Sequence, residues 1–248
     1  MPKTGVLLRP AGLIDYRAAD GAMHDLADRR LAGEIADTLI VLQHPPVYTA
    51  GRSSKPDHLV WSRDAIEARG ARVHHIDRGG SLTFHGPGQL VGYPIVDLGG
   101  RPDAVRYVRR LEEVVIRAGA DLGVALERSP IQTGVWSGTR KVCAIGVRIK
   151  RMRVTLHGFA VNCTTDLSWY DAIVPCGLSA MGVTSLSELA GRTITVEELA
   201  PIVVLRFEDV FALELGPPPG DDLLGFSDAS LGQRSEAFER QPARALGA

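Results

Sequence analysis

Apolar residues follow two different spacings along the first 216 positions of the chain. Residues 38–43 form a continuous apolar run, which predicts a buried strand. Residues 103–118 carry an apolar side chain at every third or fourth position, which predicts an amphipathic helix. Asp103 is a suitable N-cap for this helix, and Gly119 is a suitable end. Both kinds of element are therefore expected, each with one side suited to a core.

The segment 142–162 predicts a β-hairpin, because the charged residues KRMR separate the strand-like runs VCAIGVRI and VTLHGFAVN. Pro94 in the run at 89–96 indicates an edge strand or a bulge. Strands and helices do not alternate as regular βαβ units, so we expect an α+β domain with a mixed sheet. The other predicted elements are strands at 6–8 and 72–77 and helices at 16–30, 64–69, 185–189 and 196–215.

The composition of the chain changes near residue 216. The stretch GPPPGDD at 216–222 interrupts the periodic pattern, and the residues after it are rich in Gly, Ser, Asp, Ala and Arg. Such a composition does not supply enough apolar surface to form a core. We therefore expect one folded domain at residues 1–216 and a loose or disordered tail at 217–248.

The charge balance argues against a nucleic-acid or membrane partner. The chain has 28 basic and 29 acidic residues, so its net charge is −1 and it offers no strong field to either surface. The N-terminus lacks the apolar run of a signal peptide, and no stretch reaches the roughly 18 apolar residues of a membrane span. The expected location is the cytoplasm.

The three cysteines differ in their surroundings. Their odd number and the lack of a C-x-x-C pair argue against a disulfide framework and a structural zinc site. Cys143 and Cys163 lie in apolar strand patterns, as buried cysteines do. Cys176 lies between a proline and a glycine in DAIVPCGL, where a turn could expose its thiol. Cys176 is therefore the candidate nucleophile.

A thiol nucleophile needs a neighbour that lowers its pKa or accepts its proton. Lys141, His85 and His157 are the candidates, and their spacing along the chain does not choose among them. Lys141 is one of only four lysines beside 24 arginines, and only lysine can lose its proton near neutral pH. A lysine extended to solvent at a strand end and a satisfied core histidine are the alternative interpretations of Lys141 and His157.

The segment RGGSLTFHGPGQL at 78–90 contains four glycines. It matches neither the phosphate-binding G-x-x-x-x-G-K-[ST] pattern nor G-x-G-x-x-G. A tight double turn would explain its composition, but the apolar SLTF stretch between two glycine turns could also line a slot for an extended apolar ligand. Gly158 interrupts another strand and predicts a bulge or a close approach of a ligand.

Four segments, taken in order, closely resemble the lipoyl(octanoyl) transferases, or octanoyl-[acyl carrier protein]:protein N-octanoyltransferases. They are RGGSLTFHGPGQLVGYPIVDL, RKVCAIGVRI, TLHGFAVNC and AIVPCGL, and the resemblance runs from about residue 5 to 215. It implies the mixed-sheet catalytic fold of biotin and lipoate protein ligases, related to the class II aminoacyl-tRNA synthetase core. The only departure that we note is a slight difference in length at the KRMR turn.

The resemblance also assigns roles to residues. It implies that Cys176 becomes an acyl thioester, that Lys141 lowers the pKa of its thiol, and that neither a metal nor a nucleotide cofactor is needed, since the substrate thioester is already activated. The substrate-binding residues that it implies are Arg78, Gly79, Gly80, Ser81, Leu82, Thr83, Phe84, His85, Ala144, Ile145, Gly146, Gly158, Phe159 and Ala160.

The implied reaction is the first step of protein lipoylation. The octanoyl donor would be octanoyl-acyl carrier protein, and the acceptors would be lipoyl domains of 2-oxoacid dehydrogenase complexes and the glycine cleavage H protein. Three alternatives stay open. They are an ATP-dependent lipoate-protein ligase, which lacks an obligate nucleophilic cysteine, a non-catalytic acyl- or lipoyl-binding module, and a cysteine hydrolase with a Cys–His pair.

Overall fold

The computed structural model of the protein describes residues 3–174 and 182–219. Its strands are β1 (Lys3–Leu8), β2 (Thr38–Leu42), β3 (Val47–Ala50), β4 (Arg72–His75), β5 (Leu82–His85), β6 (Gln89–Ile95), β7 (Glu127–Arg128), β8 (Val135–Ser137), β9 (Arg140–Lys150), β10 (Val154–Asn162), β11 (Gly182–Val183) and β12 (Leu213–Gly216). Its helices are α1 (Tyr16–Ala32), α2 (Arg63–Ala68), α3 (Ala104–Asp121), α4 (Leu186–Ala190) and α5 (Val196–Phe211), with 3₁₀ turns at Pro56–His58 and Leu167–Ala172.

Two mixed sheets form the framework. The large sheet has the order β12-β1-β2-β6-β10-β9-β8-β7, and β11 pairs with β9 in parallel. The small sheet has the order β4-β3-β5. Parallel pairs at β1 and antiparallel pairs from β2 to β7 occur in the same large sheet, which confirms the predicted α+β class with a mixed sheet.

The helices cover opposite faces of the large sheet. On one face, Phe159 and Val161 of β10 belong to a core that also contains residues of α3 and α5. On the other face, Leu156 and Ala160 of β10 pack in a core with Met23 of α1. This alternation follows from the strand geometry, because successive side chains of a strand point to opposite faces. Among the helices within residues 3–174 and 182–219, none is long and apolar enough to cross a membrane.

The predicted helix at 103–118 is present, but its end is not at Gly119. The Asp103 side chain accepts a hydrogen bond from the Arg106 N–H at 2.9 Å, which confirms the N-cap. The helix continues through Gly119 to Asp121. A Cβ atom at Gly119 would lie 2.5 Å from Cδ1 of Leu126, so this glycine is explained by close packing and not by a turn.

The predicted helix at 196–215 is shorter than expected. It ends at Phe211, and Leu213–Gly216 forms β12, which pairs in parallel with β1. The four-residue strand adds an edge to the large sheet that no local pattern predicted.

The edge position predicted at Pro94 is wrong, because β6 lies between β2 and β10. The alternative, a bulge, is absent as well, because the Gly92–Phe159 pair and the Asp97–Val154 bridge keep one register. Pro94 pairs with Leu39 of β2, and the ladder with β10 is interrupted after Gly92 and Phe159. The ladder position opposite Pro94 is occupied by His157, which has a φ of +58°. Pro94 has no N–H to donate to a neighbouring strand. The β6–β10 ladder is thus interrupted at a residue that could not have donated a hydrogen bond to it.

The bulge predicted at Gly158 is also absent, since β10 keeps one register with β9 and Gly158 pairs with Gly146. A Cβ atom at Gly158 would lie 2.1 Å from the Gly92 carbonyl oxygen. Glycine is therefore required by the close approach of the two strands.

Candidate active site

A cavity of about 420 Å³ lies against β9, β10 and the segment before β5. Lys141 lines it, as do all the predicted substrate-binding residues except Phe84. The predicted residues that line the cavity are Arg78, Gly79, Gly80, Ser81, Leu82, Thr83, His85, Ala144, Ile145, Gly146, Gly158, Phe159 and Ala160. Three segments that are distant in sequence thus meet at one cavity, which is large enough to hold a small acyl chain.

Phe84 lies away from this cavity. Its side chain is fully buried and packs against Tyr48 and Trp169, with ring centroids 5.3 and 5.1 Å away. The residues 82–85 form β5, so the interpretation of this segment as a loop was incomplete. Phe84 therefore helps to hold β5 in the small sheet, and its predicted contact with substrate has no support in the cavity lining.

Lys141 lies on β9 between two short strands. Its neighbours across the sheet are Trp136 of β8 and Val183 of β11. Its Nζ atom lies 4.7 Å from the centroid of the Trp136 ring. The Thr184 N–H donates to the Lys141 carbonyl at 3.0 Å. The amine is thus placed at the cavity wall on a well-paired segment of strand.

Cys176 lies outside the described residues, so its distance from Lys141 remains a prediction. The chain is described up to Val174, whose N–H donates to the His58 carbonyl at 2.9 Å. It is described again from Gly182, which is opposite Arg140 in the β9–β11 pair. The first described residues after Cys176 therefore pair with β9, the strand that carries Lys141.

Arg78 shapes the glycine-rich wall of the cavity. Its buried guanidinium donates to the Thr49 carbonyl at 2.7 Å, to Thr49 Oγ1 at 2.9 Å and to the Gly79 carbonyl at 2.9 Å. A Cβ atom at Gly146 would lie 2.9 Å from Cδ of Arg78. The glycine at 146 is thus needed for the arginine to lie across β9.

A chain of buried hydrogen bonds crosses the cavity wall. The Thr49 hydroxyl and His85 Nε2 are 3.4 Å apart, and His85 Nδ1 is 2.8 Å from Gln89 Oε1. Gln89 Nε2 donates to Asn162 Oδ1 at 2.9 Å, and Asn162 Nδ2 donates to the Thr184 carbonyl at 3.0 Å. The Thr184 carbonyl can only accept a hydrogen bond, so the Asn162 amide must present its Nδ2 group to it. Asn162 Oδ1 then faces Gln89 Nε2, and Gln89 Oε1 faces His85. His85 must therefore carry its proton on Nδ1.

The histidines of this wall are held neutral. Burial, together with the neighbouring His44, lowers the pKa of His85 to about 3. Burial likewise lowers the pKa of His44 to about 4. His44 lies between the Ile14 carbonyl and the Tyr93 hydroxyl, at 2.6 and 2.7 Å, and Tyr93 also lines the cavity. Neither imidazole is therefore ready to accept a proton from a thiol.

These two histidines predict acid sensitivity. An unfolded histidine binds a proton near pH 6.5, whereas folded His44 and His85 stay neutral to about pH 4 or below. Below pH 6.5 the unfolded state therefore binds protons that the folded state does not, and the folded state loses stability as the pH falls toward 4. We expect the free energy of unfolding in urea to fall by about 2 kcal/mol per histidine between pH 7 and pH 5. His44→Gln should remove about 2 kcal/mol of the total drop, to which the buried His157 contributes as well. An unchanged free energy at pH 5 would contradict the assignment.

His157 is the third histidine at the cavity. Its Nε2 atom is 2.8 Å from Asp77 Oδ1, and Asp77 is also paired with Arg148. Burial lowers the pKa of His157 to about 4. His157 pairs with Val147, six positions along β9 from Lys141, a separation of about 20 Å at 3.3 Å per residue. Asp77 satisfies Nε2, whereas the buried Nδ1 atom has no hydrogen-bond partner among the described residues, and the distance excludes direct proton exchange with Lys141.

The other two cysteines are buried, as their apolar strand patterns predicted. Both thiols are inaccessible to solvent, and burial raises the pKa of Cys163 to about 12 and that of Cys143 well above its usual value. In the described part of the chain, no three His, Cys, Asp or Glu side chains are grouped so that they could hold a metal ion.

The cavity also contains residues that sequence analysis missed. Some of them lie inside the segments that carry the family resemblance and others in segments without a motif, and most have apolar or aromatic side chains of the kind found in ordinary helices and strands. The additional lining residues are Tyr16, Tyr93, Val108, Ile131, Gln132, Thr133, Val142, Val147, Asn162, Tyr170 and Val183.

Comparison with known proteins identifies relatives that match most of the chain. Residues 15–208 match the family described as the lipoyl protein ligase A/B catalytic domain. The chain is 51% identical over 203 residues to an octanoyltransferase of Mycobacterium marinum, covering 79% of this chain and 83% of that protein. It is 47% identical over 211 residues to an octanoyltransferase of Rubrobacter xylanophilus, covering 85% and 93%.

Solved structures of lipoate-protein ligases share the fold. Lipoate-protein ligase A bound with ATP superposes with a TM-score of 0.74 at 15% identity, covering 97% of this chain and 96% of that one. A bipartite lipoate-protein ligase from Thermoplasma acidophilum, analysed with its E2 lipoyl domain, gives a TM-score of 0.75 at 16% identity, covering 96% and 93%. The ligase-like catalytic fold expected from the sequence is thereby confirmed.

Proposed function

The chain belongs to the lipoyl protein ligase A/B catalytic-domain family and, within it, to the octanoyltransferases, and on that premise we propose that it transfers octanoyl groups to lipoyl domains. The donor is octanoyl-acyl carrier protein, and the acceptors are lipoyl domains of 2-oxoacid dehydrogenase complexes and the glycine cleavage H protein. The observation that carries the proposal is the identity of 47–51% to octanoyltransferases over most of both chains. The identity to ATP-binding lipoate-protein ligase A is only 15%.

The cavity suits an acyl chain because its walls combine apolar side chains and glycines. Leu82, Ile145 and Phe159 line it together with glycines at 79, 80, 146 and 158. Burying each methylene of an octanoyl chain is worth about 0.8 kcal/mol. The octanoyl chain can therefore be held by apolar contacts, with its thioester directed to the Lys141 end of the cavity.

The first half-reaction forms an octanoyl thioester on Cys176. Lys141 accepts the proton of the Cys176 thiol, and the Cys176 sulfur attacks the donor carbonyl. The bond between that carbonyl and the phosphopantetheine sulfur breaks, and the leaving thiolate takes the proton from the Lys141 ammonium. One thioester replaces another, so no ATP, metal or other cofactor is required.

The second half-reaction moves the octanoyl group to the acceptor. The lysine amine of a lipoyl domain attacks the thioester carbonyl on Cys176 and gives a proton to Lys141. The bond between the carbonyl and Cys176 then breaks, and the sulfur is reprotonated from Lys141. The product amide is more stable than the thioester, which drives transfer forward.

The test is to incubate the protein with octanoyl-acyl carrier protein and an apo lipoyl domain without ATP and to measure the intact mass of the lipoyl domain. We expect an octanoylated domain that resists hydroxylamine, as an amide does. Octanoylation that requires ATP would identify a ligase. Release of octanoate without an acceptor would identify a hydrolase, and an unchanged mass would indicate a binding module. Cytoplasmic location stays a prediction.

A further inference from the structure

The strand that carries Lys141 is held on one side by a strand of only two residues. In β11, Gly182 pairs with Arg140 and Val183 with Lys141, and the next N–H, that of Thr184, donates to the Lys141 carbonyl. Two residues of strand are too short to stay in place by ladder hydrogen bonds alone. Other contacts must therefore hold β11 against β9.

Thr184 is the point at which β11 is attached to the rest of the domain. It is fully buried, and its hydroxyl donates to Glu188 Oε2 at 2.7 Å. Its carbonyl accepts a hydrogen bond of 3.0 Å from Nδ2 of Asn162, which lies at the end of β10. One side-chain amide thus connects the central strand β10 to the short strand beside Lys141.

The orientation of the Asn162 amide is determined by its neighbours. Oδ1 accepts from Gln89 Nε2 at 2.9 Å and from the Tyr170 hydroxyl at 3.3 Å. Gln89 is itself oriented, since its Nε2 also donates to the Phe84 carbonyl at 3.2 Å. Asn162 is buried, so a rotated amide would leave several groups unsatisfied. Its Nδ2 group is therefore committed to Thr184.

We propose that Asn162 is a positioning residue for Lys141, acting through its hydrogen bond to Thr184 and the strand β11. The inference rests on the proposed function, since it assigns Asn162 to the reaction in which Lys141 moves protons. It also explains why the polar wall that begins at Arg78 and His85 ends at the peptide group of Lys141. The cavity wall at Arg78 and His85 is thereby linked by hydrogen bonds to the backbone of Lys141.

Asn162→Asp is the sharpest test, because it keeps the shape of the side chain and removes the donor to Thr184. We expect kcat for octanoyl transfer to fall about 10²-fold, as a small displacement of a reacting group can cost. KM for octanoyl-acyl carrier protein should stay near the wild-type value. The loss should shrink as the pH is raised, because the thiolate then forms without help from Lys141. Asn162→Ser, which introduces no charge, should show the same pattern if the aspartate variant folds poorly.

Thr165→Val is the matched control, since it removes another buried hydrogen bond, from Thr165 Oγ1 to the Gly88 carbonyl at 3.0 Å, without touching β11. Its kcat and pH profile should match wild type after correction for the folded fraction. If the Asn162 variants lose only stability and keep the wild-type kcat and pH profile, the inference is overturned. A wild-type protein that transfers no octanoyl group would overturn the proposed function first, and the inference with it.

Discussion

Lys141→Met is expected to lower the rate of octanoyl transfer by about 10²–10⁴-fold, the usual contribution of a proton-transferring side chain. Methionine keeps the length and apolar stem of lysine but has no amine. The rate of the variant should rise with pH until the thiol ionises by itself, near pH 8.5 for an unperturbed cysteine. The measurement is a pH series of enzyme acylation by octanoyl-acyl carrier protein, followed by intact mass.

Lys150→Met is the control for this prediction, because Lys150 lies on the same strand. Its Nζ atom pairs with Asp28 at 2.7 Å, and it does not line the cavity. This variant should acylate at the wild-type rate. Equal rates for Lys141→Met and Lys150→Met at pH 7 would remove Lys141 from the mechanism.

Gly158→Ala is expected to destabilise the domain by about 3 kcal/mol or more, at the upper end of the usual cost of overpacking. The added Cβ atom would lie 2.1 Å from the Gly92 carbonyl oxygen and 2.7 Å from Cδ of Pro94. Neither atom belongs to a flexible side chain, so β6 and β10 would have to separate at the centre of the sheet. Urea unfolding monitored by circular dichroism measures the change.

Gly216→Ala is the matched control in the same sheet. A Cβ atom at Gly216, the last residue of β12, would meet no atom within 4 Å. Its free energy of unfolding should stay within about 0.5 kcal/mol of wild type, as for most surface substitutions. A Gly158→Ala protein as stable as Gly216→Ala would show that the two central strands can separate at little cost.

Sequence patterns predicted those elements whose signals are local. The β9–β10 hairpin and the helix α3 were predicted because each contains its own apolar pattern and its own turn or cap. β12 was missed because its strand conformation depends on pairing with β1 at the other end of the chain. Gly119 was misinterpreted because it packs closely against Leu126, a contact that follows only from the path of the chain after the helix.

The same distinction applies to the candidate site. Lys141 and the glycine-rich wall were found because their motifs are contiguous, and the structure gathers them at one cavity. Tyr16 and Ile131 were missed because nothing in their own segments distinguishes a cavity residue from an ordinary one. Phe84 shares its motif with residues that line the cavity. Successive side chains of β5 point to opposite faces, however, and that of Phe84 packs in the core beside the small sheet.

The central claim is that one particular sulfur carries the octanoyl group, and locating the group on the protein tests it most directly. The wild-type protein is incubated with octanoyl-acyl carrier protein without an acceptor, digested at low pH and analysed by tandem mass spectrometry, with and without hydroxylamine. A single hydroxylamine-labile octanoyl group on the peptide that contains Cys176, with Cys143 and Cys163 unmodified, is the predicted result. An octanoyl group on another residue, or transfer to a lipoyl domain by Cys176→Ala at the wild-type rate, would contradict it.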